Sequence, residues 1–212
     1  MEAIALLLAA VAYELGLFAA VLFALFGVED LAVDLLYWSG ISHPVRAAPD
    51  ADKRLERDVA LFIPAWAEGD VIGQMLAHCT SIWPTRQLTI YVGVYPNDLA
   101  TMQSVALWAA RDPRVRMVVN QQAGPTTKGA CLNAIWRRHA QDGAAHLIRP
   151  GAVLLHDAED VVDPAALAAL DQALLIADYA QIPVIPLMGQ GRHWIRRHYC
   201  DEFAESHSKE LA

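Results

Sequence analysis

From residue 58 onward, short apolar runs alternate with longer amphipathic ones, the pattern of βαβ units and a parallel sheet. Five runs read as strands, at 59–65, 88–95, 115–120, 152–155 and 181–185, each rich in Val, Ile or Leu and flanked by Pro, Gly, Asn or Asp. Continuous apolar character of this kind indicates strands buried on both faces. The spacing between them predicts helices over 70–79, 99–111, 128–141 and 164–179, with a less periodic one over 200–210. Asn97 or Asp98 can cap the second of these, Thr126 or Thr127 the third, and Asp163 before Pro164 the fourth. The third is expected to stop at Asp142-Gly143, where glycine can take a left-handed conformation. Met102, Trp108 and Trp136 sit at spacings that suit core packing. Right-handed crossovers then place a ligand site beyond the carboxyl ends of the strands.

A different pattern fills the N-terminus, where residues 3–28 are apolar apart from Glu14 and the small or amphipathic Tyr13, Gly16 and Gly27. As a helix this run is about 39 Å long, enough for one tilted crossing of a hydrocarbon core of about 30 Å. One mid-span carboxylate costs on the order of 2.5–3.5 kcal/mol on insertion scales, which the surrounding Leu, Phe and Val outweigh. A signal peptide would have a basic residue before the run and a small-x-small site after it; neither is present. A buried core helix is rarely so long or so uniformly apolar. Residues 28–38, with Asp30 and Asp34 on one face and Leu35, Tyr37 and Trp38 among the others, read as a helix lying at the membrane surface. No basic residue precedes the span, whereas Arg46, Lys53, Arg54 and Arg57 follow it, so the rest of the chain is expected on the cytoplasmic side of a single-pass protein. The organisation expected is a membrane segment over 1–38, a linker over 39–57 and a sheet-bearing domain over 58–212.

The 24 acidic against 16 basic residues leave a net charge of -8, which argues against nucleic acid as a partner. Cys79, Cys131 and Cys200 form no CxxC pair, which suggests buried small hydrophobes in a reducing compartment and no disulfide framework. The eight histidines include no HExxH spacing, and Ser81 and Ser104 lie in no GxSxG context. His78, His139 and His146 read as ordinary polar residues. No GxGxxG follows the first strand, which disfavours a nicotinamide-dependent oxidoreductase.

Three strand ends carry candidate chemistry. The apolar strand 152–155 runs into His156-Asp157-Ala158-Glu159-Asp160, where crowded carboxylates need a cation or protons to relieve their repulsion. A hard divalent ion such as Mg or Mn, shared with substrate phosphates, would serve; the alternative is a solvated loop in which Asp160 and Asp163 only cap a helix. Gly124-Pro125-Thr126-Thr127-Lys128-Gly129 opens a helix whose N–H groups attract anions, with Lys128 able to neutralise phosphate. It is not a P-loop, and a surface lysine beside an ordinary cap is the competing reading. Pro64-Ala65-Trp66-Ala67-Glu68 and Tyr95-Pro96-Asn97-Asp98 bring aromatics and acids to the same edge, suited to stacking a nucleobase and accepting ribose hydroxyls, or serving simply as caps and turns.

Taken in order, Ile63-Pro64-Ala65-Trp66 with Glu68, Tyr95-Pro96-Asn97-Asp98, Gly124-Pro125-Thr126 with Lys128 and Leu132-Asn133, and His156 to Asp160 resemble glycosyltransferase family 2. Within it, the likeness is to the phage-adsorption type of bacterial inner-membrane glycosyltransferase. It extends to the segment from Gly27 to Trp38, Gln181-Ile182-Pro183-Val184 and Asp201-Glu202-Phe203. The resemblance implies an α/β, Rossmann-like GT-A fold with a mostly parallel sheet and flanking helices. It also implies an enzyme that transfers a hexose from a nucleotide-diphosphate sugar to a cell-surface polysaccharide or other glycan acceptor, inverting and dependent on Mg or Mn. Carried over by motif, Pro64, Trp66, Glu68, Asp98, Lys128, Asn133 and Asp157 would bind the donor, and Asp157, Glu159 and Asp160 supply metal ligands at a position where the family has Asp-x-Asp.

Two strings of that family are missing: Thr-Glu-Asp, whose Asp is the expected general base, and the acceptor-side Gln-x-x-Arg-Trp, for which Arg192-His193-Trp194 is no match. The catalytic base is therefore left unassigned, and the chain is expected to be a donor-binding part, incomplete toward its C-terminus. The competing expectation is a noncatalytic membrane scaffold that binds other polysaccharide-export components.

Overall fold

The computed structural model describes residues 2–39, 55–145, 151–187 and 194–205. The chain divides into two units, one of Met1–Ala47 with Gln181–Ala212 and one of Ala48–Ala180.

In the first unit, α1 (Glu2–Trp38) is one unbroken helix of 37 residues, about 55 Å long at ~1.5 Å per residue. The surface helix expected over 28–38 is not separate, because α1 runs straight through Gly27. An interior glycine costs a helix only about 1 kcal/mol, and no proline is present to break it. The helix is long and apolar enough to cross a membrane, with mean hydropathy 2.3 and none of that stretch buried. At its end Ser39 donates its hydroxyl to the Leu36 carbonyl at 2.6 Å and its N–H to the Leu35 carbonyl. The fifth strand does not form: 181–187 has no regular structure. Pro183 and Pro186 have no N–H to give a ladder. The last helix, at Trp194–Glu205, starts six residues earlier than the expected 200–210, and residues 206–212 lie outside the described ones. Of the linker expected over 39–57, residues 40–54 also lie outside them.

The second unit is the α/β layer structure. Strands β1 (Val59–Pro64), β2 (Leu88–Val94), β3 (Val115–Val119) and β4 (Ala152–Leu155) alternate with helices α2 (Ile72–Ile82), α3 (Leu99–Arg111), α4 (Lys128–Ala144) and α5 (Ala166–Ala173). All pairings are parallel, in the order β3-β2-β1-β4, with Pro64 opposite Gly93 and Phe62 opposite Leu155. The chain thus steps outward from β1 in one direction and returns to its other side for β4. A crevice opens at the carboxyl ends of β1 and β4, where that reversal occurs.

The central strands β1 and β2 are buried as their apolar runs predict, whereas β4, an edge strand, leaves Val153 and Leu155 exposed. Ala60, Phe62, Tyr91, Val118, Cys131 and Ile135 form the core beneath α4. Trp136 is 53% exposed and only meets the rim of this core, edge-on to Phe62 at 6.5 Å between ring centroids, whereas His139, three residues on, is buried against Phe62 and Tyr91. All three cysteines are free and buried, and burial, assisted by the Asp160 charge, pushes the Cys79 thiol up to about 12.

The caps at Asp98 and Thr127 form: Asp98 accepts from the Thr101 N–H and Thr127 Oγ1 from the Ala130 N–H. At α4 the expected glycine stop is overrun, and the helix ends only at Ala144. Asp142 in its last turn points inward and accepts from the Tyr91 hydroxyl at 2.9 Å, Arg116 at 2.5 Å and Arg138 at 2.9 Å. At α5 Asp163 takes the Ala165 N–H in a turn, and the helix begins only at Ala166, shorter than the expected 164–179.

Candidate functional site

A cavity of about 330 Å³ lies at the carboxyl edge of β1, β2 and β4. Pro64, Trp66 and Glu68 enter it from the end of β1, Lys128 from the start of α4, and Asp157 and Glu159 from the end of β4. Side chains up to 95 positions apart in sequence are gathered here because parallel strands all end on one edge.

The aromatic wall is built around Gly124. The Asn97 side-chain amide brackets this residue, donating to its carbonyl and accepting its N–H, both at 2.7 Å. Trp66 packs over Gly124 and meets Tyr95 edge-on, at 5.2 Å between ring centroids. The Tyr95 hydroxyl pairs with Thr126 Oγ1 at 2.7 Å. A Cβ at Gly124 would fall inside the Trp66 ring, which Tyr95 prevents from retreating. Gly124→Ala is accordingly expected to cost about 1–3 kcal/mol, the usual range for overpacking, read as a lower thermal midpoint and a shifted tryptophan emission.

Asp98 lies behind the wall, and its oxygens are already engaged. It accepts the Ala67 N–H at 2.7 Å and the Thr101 N–H at 3.3 Å, fixing a turn in which Ala67 takes φ 59°. That left-handed backbone is unfavourable for alanine, and the carboxylate compensates for it. The Glu68 N–H donates in turn to Thr101 Oγ1 at 2.9 Å. Burial works against charge on Asp98, but the hydrogen bonds from Thr101 and Ala67 outweigh it and hold the carboxyl below its ordinary value. A depressed carboxyl stabilises the fold above its unfolded value, about 3.9, and that contribution disappears as pH falls through the folded value. Acid titration followed by circular dichroism is expected to show unfolding setting in below about pH 4, and Asp98→Asn should flatten that limb of the curve.

Glu68, at the mouth, behaves in the opposite sense. Burial, and then the charges of Glu159, Asp98 and Asp157, push the Glu68 carboxyl up. Lys128 Nζ donates to Asp157 Oδ1 across the cavity, and both side chains are about half exposed. Asp160 is turned away: its Oδ2 accepts the Asp157 N–H at 2.9 Å and lies 3.0 Å from His156 Nδ1. The His156 hydrogen bond, working against burial, holds Asp160 low. Asn133 is exposed and lines a different groove, between β3 and α4. Tyr95, Thr126 and Cys131 line the cavity as well. Cys131 had one local signal, its position one helical turn after Lys128.

Residues 56–212 match the model of a family described as "Glycosyltransferase like family 2". The chain belongs to this family. It is 33% identical over 201 residues to bacteriophage adsorption protein B of Escherichia coli K12, a match covering 91% of this chain and 27% of that protein. Bacteriophage N4 adsorption protein B of Escherichia coli O157:H7 matches to the same extent. The chain therefore spans about a quarter of the length of these curated relatives. Among solved structures, it is similar to a mannosyltransferase from Pyrobaculum calidifontis in complex with GDP-Man and Mn2+, at TM-score 0.50 and 21% identity over 76% of this chain and 44% of that one. At that identity the likeness bears on the fold, which is GT-A-like.

Proposed function

We propose that this chain is the donor-binding part of a membrane-anchored, inverting glycosyltransferase that takes a hexose from a nucleotide-diphosphate sugar to a cell-surface polysaccharide or glycan. The observation that carries the reading is the single cavity joining Trp66, Glu68, Lys128, Asp157 and Glu159. Trp66 offers a ring for the nucleobase, and Glu68 accepts hydroxyl hydrogen bonds from the ribose. Lys128, beside the open N–H groups at the start of α4, neutralises diphosphate charge.

The residues also fit a hard divalent cation. Asp157 and Glu159 share the cavity with Glu68, whose pKa is raised first by burial and then by the charges of Glu159, Asp98 and Asp157. Among the described residues no group of three or more His, Cys, Asp or Glu could hold an ion alone. Two carboxylates are enough for Mg or Mn, which commonly takes one or two from the protein and completes its shell with substrate phosphates and water. Asp157 and Glu159 would hold it, while Asp160 serves the loop. Such an ion offsets charge on the departing diphosphate. Asp98 acts one step back, holding the turn that presents Trp66 and Glu68.

The anchor is α1, with the sheet-bearing unit on the cytoplasmic side of a bacterial inner membrane, as the basic residues after the span favour. The test is calorimetry of the full chain in lipid nanodiscs with GDP- and UDP-sugars, with and without Mn. Binding that requires Mn and is lost on chelation is expected. A folded chain that binds no nucleotide sugar would overturn the reading in favour of a scaffold for other polysaccharide-export components.

A further inference from the structure

A second and larger cavity, about 630 Å³, runs between β3 and α4 and shares Thr126 with the donor cavity. One wall is Met117 to Val119 of β3 with the bend Asn120 to Gln122 after it, and the other is α4 from Ala130 to Gln141, about 16 Å at ~1.5 Å per residue. The result is an elongated trough, within the size range of built ligand sites, about 300–1,000 Å³.

The lining is polar and of one sign. Gln121, Gln122, Asn133 and Gln141 contribute amides, and Arg137 and Arg138 contribute guanidiniums. Among the described residues no Asp or Glu lines it, in a chain of net charge -8. Arg138 is held by Asp142, but Asp142 also answers Arg116, so one carboxylate faces two guanidiniums and a positive charge is left over. Arg137 makes no ion pair or hydrogen bond with any described residue and adds a second. Amide side chains donate to and accept from hydroxyls, and guanidinium forks bind carboxylate or phosphate oxygens in pairs.

We propose that this trough is a binding site for an anionic oligosaccharide, a short glycan bearing carboxylate or phosphate groups, held by the amides along its length and by Arg137 at its free charge. The inference extends the donor reading, on which it rests only for the place of Thr126 in the lining of both cavities. That proximity favours a glycan over an acidic peptide laid on the outer edge of β3, because a glycan substrate or product must come near the sugar-transfer site and a docked peptide need not.

The experiment titrates the full chain in lipid nanodiscs with tetragalacturonate, with neutral maltotetraose and with a hexaglutamate peptide, and measures nucleotide-sugar binding on the same sample. Tetragalacturonate should bind more tightly than either competitor, with an affinity that weakens as salt rises. Arg137→Gln, which breaks no ion pair or hydrogen bond among the described residues, should weaken it roughly tenfold or more, as expected for loss of a charge-assisted pair, and leave nucleotide-sugar affinity unchanged. Equal binding of maltotetraose, equal or tighter binding of hexaglutamate, or indifference to Arg137→Gln would each overturn the assignment. Tetragalacturonate bound by a chain that binds no nucleotide sugar would keep the trough and remove the donor reading. The converse result would do the opposite.

Discussion

Asp157→Ala is expected to abolish metal-dependent nucleotide-sugar binding, by at least about a hundredfold, while the thermal midpoint stays within about a degree of the parent. The two halves of this expectation have separate causes. Asp157 is about half exposed and pairs with an exposed lysine, and surface pairs of this kind contribute only about 0–1 kcal/mol to stability. In the proposed complex, the same carboxylate is a direct ligand of the cation, and Lys128 is released from it toward the diphosphate. Loss even of an outer partner to a metal site typically costs about 10- to 100-fold in affinity, so loss of a ligand should cost no less. Calorimetry with Mn, paired with thermal unfolding of the same preparation, reads both quantities. Unchanged donor affinity would remove Asp157 from the site; a collapse of the midpoint would make its role structural.

Asp142→Ala is expected to produce the reverse, a loss of about 3–5 kcal/mol of stability with donor affinity little changed. The carboxylate is 5% exposed and joins three elements, taking the hydroxyl of Tyr91 on β2, Arg116 on β3 and Arg138 on its own helix. Burial disfavours its charge, but hydrogen bonds from Arg138, Tyr91 and Arg116 overcome that and hold the carboxyl below its usual value. Removing it leaves a buried hydroxyl and a part-buried guanidinium without their acceptor, which is costlier than the pairs themselves are worth. For a chain of this size each kcal/mol corresponds to about 2–4 °C, so the midpoint should fall by roughly 6–20 °C. Arg138→Ala removes one half-exposed partner and leaves Asp142 its bonds to Tyr91 and Arg116, so it should cost less, about 1 kcal/mol. A small effect from both variants would show that the network adds little to stability.

The contrast between these carboxylates shows what local sequence can convey. Asp157 was legible because an acid directly after an apolar strand must lie at the ligand edge of a parallel sheet. Asp142 was read as part of a helix stop, since Asp-Gly is a common ending and nothing nearby in sequence reveals Tyr91 or Arg116. Asp98 was legible as a cap from its position before α3, but its second partner, the Ala67 N–H, lies 31 residues earlier and could not be foreseen. Trp136 and His139 exchange their expected places because helical period gives the interval between inward positions but not their phase when both faces carry bulky side chains.

What the sequence determined by itself was the order of elements, the long apolar helix, two helix caps and the edge of the sheet where chemistry would collect. Each depends on interactions within a few residues: hydrophobic period, side-chain capping and the direction of a strand. Only the tertiary structure decided the order β3-β2-β1-β4, the failure of 181–187 to add a strand, and the division of the acids, with Asp157 and Glu159 at the cavity and Asp160 folded back on His156. It also turned Asn133 away from Lys128 into a separate trough. These outcomes rest on contacts between distant segments, where the phase of one helix or the pairing of one strand decides which side of a wall a side chain occupies, and local spacing carries no record of that choice.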